Sequence, residues 1–561
     1  MRISITGVFQ GSLFCFISVF LVHGPLPSFA GSVIKSQINK DQNSTLWAQT
    51  LHLKSNGKTD ISRLKRKNNA DIILHTGPLE LSLKEAIQKT LENNLGIAVQ
   101  RYESKIKKVN IITEEADFDV ILSLEATDSN NEIPSANTFI KPPVVKTKEQ
   151  EWKLGLSQKL KLGTEYEFNF SGQKNNTNSA FAGLRPEYDT RVELNLTQPL
   201  LKNFGVDTNS ADIYIAKNNL DISDFEFKEK VIEILGNTEN VYWDLVFSRE
   251  DLQVQLQSVA RARDLERRVR AQVEVGTMAP LEILQAQSEV ASREQAVIQV
   301  HKDIGDNEDD LKNILNMDFG SNEGMREILP QDKPSFSMYE PIDLGASIKT
   351  ALQKRPDYLT KKKELDSKNI LVQFNENQLY PSLDLIASFG LNGLSGDAQS
   401  LTAGQFDGNY GDSIDRAFSG DFLSWEAGVK FSYPLGNRAA KSRLLASKLE
   451  SSQLLMEIKD LEKTIILEVR EAVRQIKTDV KRIQAARIAR KLAEEKLSAE
   501  EKKFEVGLST SFNVLEFQTD LAEEQSNELK AIVDYKKSRV KFRSVLATTL
   551  ENYNIKLSSD K

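Results

Sequence analysis

The stretch FEVGLSTSFNVLEFQTDL, residues 504–521, has a counterpart far upstream in VEVGTMAPLEILQAQSEV, residues 273–290. Both carry Glu-Val-Gly at the same place, then an apolar pair (Val514-Leu515, Ile283-Leu284) and a glutamine (Gln518, Gln287). Each stands inside charged, heptad-like sequence. Each therefore reads as a turn that reverses a long helix and sends a shorter one back beside it.

Working outward, the same order of segments precedes both turns. LSLKEAIQKTLENNL from Leu81 matches IDLGASIKTALQKRP from Ile342, about 261 residues on. ADFDVILSL from Ala116 matches LYPSLDLIA from Leu379 at about 263, whereas LTQPLLKNFG around Pro199 matches FSYPLGN around Pro434 at only about 235. Self-similarity in this order is the signature of a duplicated architecture. The fall in offset places about 28 additional residues in the first copy, between its strand-like segments.

From Arg438 to Phe504 there is neither proline nor glycine, and Ile458, Leu461, Ile465, Val469, Val473, Ile476, Val480 and Ile483 keep three-and-four spacing. That pattern predicts an amphipathic, coiled-coil-like helix of roughly 100 Å. Its first-copy equivalent runs over about 208–275, interrupted only by Gly236. The other helical stretches, about 82–113, 280–315, 343–377 and 512–550, are half as long, so two placed end to end match one rod.

Strand patterns lie between the helices. Phe118, Val120, Leu122 and Leu124 alternate with polar residues; so do Trp152, Leu154 and Leu156, then Tyr166, Phe168 and Phe170, then Val192, Leu194 and Leu196. In the second copy Leu383, Leu385, Ala387 and Phe389 alternate, as do Ala427, Val429, Phe431 and Tyr433. Runs of this length with one apolar face suit outer-membrane strands, and connections such as GQKNNTNSAFAG and SGDAQSLTAGQFDGNYGD suit barrel loops. Pro199, Pro381 and Pro434 fall at strand–helix junctions, where a lost backbone donor is tolerable. One chain offers four to six strands, too few to enclose water, so several copies must share a barrel. Whether the hairpin at 151–172 joins it stays open at this level.

The expected organisation is a signal peptide at 1–30 and a flexible polar leader at 31–77. A first repeat at 78–318 carries strands at about 116–128, 151–172 and 190–199 and a long helix at 208–275. A linker at 319–341 leads to a second repeat at 342–551, with strands at about 380–392 and 424–434 and a long helix at 438–504; a short tail at 552–561 follows. The signal peptide rests on Arg2, the apolar run from Val8 to Val22 and the small-x-small site Ser28-Phe29-Ala30. The only cysteine, Cys15, lies inside it, so the mature chain has neither disulfide nor thiol nucleophile. The chain has 561 residues, 27% of them charged, and a net charge of −7, which argues against a nucleic-acid partner. His52, His75 and His301 lack metal-ligand spacing, and there is no phosphate loop or nucleophile elbow. We expect no enzyme, cofactor or metal.

LSLKEAIQKTLENN, LTQPLLKNFG, ENVYWDL, VEVGTMAPLEILQAQ, LYPSLDL, FSYPLGN and FEVGLSTSFNVLEFQTDL, in this order and duplication, resemble the TolC-type outer-membrane efflux proteins. The resemblance spans about residues 80–550. It implies an α+β membrane protein in which three protomers share an antiparallel β-barrel, continued by a helical tunnel across the periplasm. The implied function is passive export of small molecules or proteins, received from an inner-membrane transporter through a periplasmic adaptor. The implied adaptor contacts are Val275, Gly276, Thr277, Val506, Gly507, Leu508 and Ser509. The family's acidic entrance falls on Asn513 and Glu516, with Glu282 as the first-copy counterpart of Asn513. Ser509 stands where some members carry the basic residue of an entrance latch. A ring of three Glu516 is the candidate constriction, against the simpler reading of Glu516 and Glu282 as solvated helix charges. The other function class to weigh is a surface or structural coiled coil of the envelope without a channel.

Overall fold

In the computed structural model, residues 77–134, 142–336, 341–399 and 404–557 are described. The expected signal peptide, the leader up to residue 76 and the last four residues of the tail lie outside them.

The chain opens with β1 (Leu79–Leu81), α1 (Leu83–Asn93) and α2 (Leu95–Glu115), followed by β2 (Ile121–Pro134), β3 (Val144–Lys159), β4 (Glu165–Thr177) and β5 (Leu184–Pro199). A short α3 (Val206–Asn209) leads into α4 (Ala211–Glu274), which returns as α5 (Leu281–Ile314). After β6 (Ile328–Pro330) come α6 (Leu344–Lys354), α7 (Pro356–Asn377), β7 (Ser382–Ala398), α8 (Tyr410–Ser419) and β8 (Leu423–Ser432). The last long pair is α9 (Arg438–Glu505) and α10 (Ser511–Val545), with α11 (Thr549–Asn552) closing the chain.

Local chemistry sets these boundaries. Ser82 and Glu85 form a capping box at α1, the Glu85 N–H reaching Ser82 Oγ at 3.3 Å and the Ser82 N–H reaching Glu85 Oε2 at 2.9 Å. Asn94 interrupts α1 and α2 at φ −65°, ψ 124°, and Arg355 interrupts α6 and α7 at φ −63°, ψ 124°. In both places an 11-residue helix precedes one of 21 or 22 residues. α4 has 64 residues and α9 has 68, each roughly 100 Å long. α2 and α7 pack beside the halves of α4 and α9 nearest the sheet, and α5 and α10 beside the halves remote from it.

Six strands form one antiparallel sheet in the order β2-β3-β4-β5-β7-β8. The hairpin around residues 151–172 is thus an interior part of the sheet, as β3 and β4. The first half of the chain supplies four strands and the second half two, so the two copies differ by that hairpin. The strand expected from residue 116 begins instead at Ile121, because Ala116–Phe118 close α2 with a 3₁₀ turn. The loop expected between β7 and β8 contains α8, capped by Asn409 and ended at Gly420 with φ 79°. The linker at 319–341 includes β6, which pairs in parallel with β1.

The register sorts side chains by face. One row reads Leu122, Leu156, Phe168, Leu194, Phe389, Trp425, and the next Leu124, Leu154, Phe170, Val192, Leu391, Leu423. The opposite face reads Ser123, Gly155, Asn169, Glu193, Gly390, Ser424. The apolar face is open: Leu124 is 77% exposed and Trp425 72%. Strand–helix junctions are stitched tightly, with the Leu200 N–H on the Leu383 carbonyl at 2.8 Å and Asn437 Nδ2 on the Leu379 carbonyl at 3.1 Å.

Core residues lie between helices. Toward the far tips, Leu265, Val269, Val290, Leu497, Phe504, Val514, Leu515 and Leu521 bury one another. Near the chain's middle, Tyr242 is fully buried, donates to Asp332 Oδ2 at 2.7 Å and packs edge-on against Trp243. This pair serves packing.

Candidate functional site

The two turns read from the sequence have one geometry. At the first, the Gly276 N–H reaches the Val273 carbonyl at 3.0 Å and the Thr277 N–H reaches that of Gln272 at 2.9 Å. At the second, Gly507 reaches Phe504 at 3.0 Å and Leu508 reaches Lys503 at 2.8 Å. This is a Schellman closure, in which the residue after the cap must adopt positive φ. Gly276 has φ 80° and Gly507 φ 77°. A Cβ on either glycine would meet nothing within 4 Å, so backbone conformation alone demands glycine.

Around the turns, Val275, Val506 and Leu508 are 75%, 69% and 78% exposed, and Gly276, Thr277 and Gly507 are exposed beside them. Ser509 is half-buried and engaged: its Oγ donates to Glu500 Oε1 at 2.5 Å and accepts from Asn513 Nδ2 at 3.4 Å. Lys503 holds the other Glu500 oxygen at 3.0 Å. The Ser509 hydrogen bond, with Lys503 beside it, keeps the Glu500 carboxyl below the usual carboxylate range.

The three entrance residues part company. Ser511 Oγ donates to Glu282 Oε2, tying α5 to the start of α10 within one protomer. Asn513 faces Ser509. Glu516 is exposed on the stripe of α10 that also carries Phe512 and Asp520. The heptad pattern did not single out Glu500, Lys503 or Ser511, since a buried or paired charge on a coiled coil is spelled like a solvated one.

Arg293 was also invisible. It is 5% exposed, and its guanidinium reaches Glu289 at 2.9 Å, the Ser258 carbonyl at 3.1 Å, Gln518 Oε1 at 3.2 Å, the Leu515 carbonyl at 2.9 Å and Thr519 Oγ1 at 3.0 Å. One side chain thereby clamps α4, α5 and α10 just behind the tips.

Among the described residues no group of three or more His, Cys, Asp or Glu is placed to hold a metal, and no helix is long and apolar enough to cross a membrane. The strand wall has the required faces.

A sheet with one exposed apolar face, set on rods of roughly 100 Å, fits one class: an outer-membrane channel with a periplasmic helical tunnel. The sequence model of the outer membrane efflux protein family matches residues 160–317 and 347–548, more than half of the chain, and the protein belongs to that family. It is accordingly an efflux channel of the outer membrane and not an enzyme. Its fold is similar to that of the Campylobacter jejuni CmeC outer membrane channel (16% identity over 83% of this chain and 85% of that one, TM-score 0.60). It is also similar to the outer membrane protein VceC from Vibrio cholerae (14%, 83% and 96%, TM-score 0.59) and to CusC (15%, 86% and 95%, TM-score 0.61). No curated protein sequence matches the chain significantly.

Proposed function

We propose that three copies of this duplicated chain close into one tube, a shared β-barrel above and a helical tunnel below, through which cargo leaves passively. The supporting observation is that both flanks of the protomer are uncovered and chemically alike. The edge strands β2 and β8 are exposed nearly throughout. Six alternating strands make these edges run in opposite directions, so a β8–β2 junction between copies continues the antiparallel order, and three copies supply 18 strands around an aqueous bore. The helical flanks match. Leu95, Val99, Tyr102, Ile106, Val109 and Ile112 form an exposed stripe on α2, and Leu445, Leu449, Met456, Leu467, Ile488 and Leu492 one on α9. Such stripes are seams awaiting a partner. An envelope coiled coil without a channel has no use for the open apolar sheet face.

The exposed apolar tips Val275, Val506 and Leu508 suit docking to a periplasmic adaptor that hands over cargo from an inner-membrane transporter. Three Glu516 side chains form the entrance ring in this reading, which favours cations. The test pairs a cysteine at Leu124 with single cysteines along β8 from Leu423 to Phe431. Covalent trimers are expected at alternate β8 positions about one register, together with conductance in planar bilayers. Monomeric, non-conducting material with no crosslink at any position would sink the proposal.

A further inference from the structure

At the strand ends remote from the helices, the apolar face changes character. Beyond the row from Leu124 to Leu423 it carries Ala126, Trp152, Gly172, Thr190 and Gly393. These mostly small residues seat α8. Ser413 and Ala417 are buried against the sheet, and the hydroxyls of Ser413 and Thr190 lie 2.7 Å apart. A Cβ on Gly393 would stand 1.9 Å from the Ser413 carbonyl oxygen, and one on Gly172 only 1.7 Å from the Tyr410 hydroxyl. Tyr410 accepts the Trp152 indole N–H at 2.5 Å, and Phe418 meets Phe170 edge-on at 6.1 Å. The helix and its aromatic residues therefore continue the belt beneath.

Between Tyr410 and edge strand β2 this packing leaves a niche of about 480 Å³. Trp152 and Gly172 lie at its base, and Tyr188 and Tyr410 meet edge-to-face at 5.4 Å beside it. The Lys174 ammonium lies 5.8 Å from the Tyr188 ring centroid. Asp128, also on this face, sits 3.9 Å from Lys148, whereas among the described residues Lys174 makes no ion pair with a carboxylate. Glu151 borders the niche but belongs to the polar face by register. The niche thus joins a lysine outside any ion pair, with the carboxylates of Asp128 and Glu151 also at its border, to three aromatic rings, one same-face row beyond Leu124, Leu154 and Phe170. Aromatic rings of this kind settle where apolar and wet regions meet, and a lysine there attracts anionic headgroups.

We infer that this niche binds a lipid of the outer leaflet, its phosphate-bearing headgroup at Lys174 and its acyl chains on the belt below. The inference rests on the barrel reading above, with the apolar face toward lipid. α8 supplies the back wall through Tyr410, which gives this helix a role that neither the strands nor the tunnel require.

The test uses the full-length protein in vesicles of phosphatidylcholine or phosphatidylglycerol with brominated chains, which quench tryptophans they touch. Two versions retain a single tryptophan, Trp152 or Trp425, the others being replaced by Phe. Trp425, in the belt on β8, is expected to be quenched equally by both lipids. Trp152 is expected to favour phosphatidylglycerol about fivefold in relative binding constant, the attraction of one lysine at an anionic surface. That preference should vanish in Lys174→Gln and survive in Lys174→Arg. Equal quenching of Trp152 by both lipids, or a preference that persists in Lys174→Gln, overturns the lipid site and leaves the barrel standing. Loss of the preference on adding inorganic phosphate assigns the niche to a free anion and overturns it too. An unquenched Trp425 removes the barrel reading, and the site falls with it.

Discussion

Gly276 and Gly507 hold φ near 80° in open solvent, so the effect of substituting them is purely conformational. Gly507→Ala should destabilise the tip by about 1–2 kcal/mol, and Gly507→Asn by less, since asparagine visits the left-handed region more readily. Amide exchange over residues 503–510 reads this directly; equal protection in all three proteins would refute it. Glu500 adds a pH dependence. Its carboxyl is held low by Ser509, so the bond is complete above the ordinary value near 4.5 and is lost as pH falls through the lowered folded value. Exchange at the second tip should therefore accelerate in that acid range, and Glu500→Gln should flatten the profile. The glycines were legible because a conformational demand selects a residue type. The Glu500–Ser509 contact was not, because nine residues and a turn separate its partners.

At the scale of elements, the long helices were plain to read: uninterrupted heptads across more than sixty residues admit little else. Strand existence was legible from alternation, but strand ends were not. β2 starts five residues later than the expected start at 116, because hydrogen bonding at the end of α2 claims Ala116–Phe118. α8 hid within a Gly/Asn/Asp-rich stretch whose composition reads as loop, and its seat on the sheet stabilises it. Arg293 links helices that the sequence places far apart. Arg293→Met should loosen α5 from α10 by about 1–3 kcal/mol, given several buried hydrogen bonds lost at once. The expected readout is faster proteolysis of both tips in the assembled protein; an unchanged cleavage rate would refute the clamp.

For the whole molecule, the uncovered seams on β2, β8, α2 and α9 are the main fact, since a lone protomer leaves them in water. The proposed Glu516 ring requires several copies around one axis. Glu516→Gln should lower the ratio of cation to anion permeability in planar bilayers under a salt gradient, and an unaltered reversal potential would eliminate the ring. Glu282 and Asn513 should matter less to this ratio, because each already has a partner within its own protomer.

The sequence by itself determined the periodic features of this protein: duplicated turns, rods of matched length, alternating faces, and a strand supply too small for one chain to enclose water. These are one-dimensional patterns, written at fixed spacing by the helix and the strand. Tertiary structure alone decided that the additional hairpin lies inside the sheet, that α8 backs a niche at the strand ends remote from the helices, and which charges meet. Those outcomes depend on contacts between residues tens to hundreds of positions apart, and no local pattern encodes a partner at that distance.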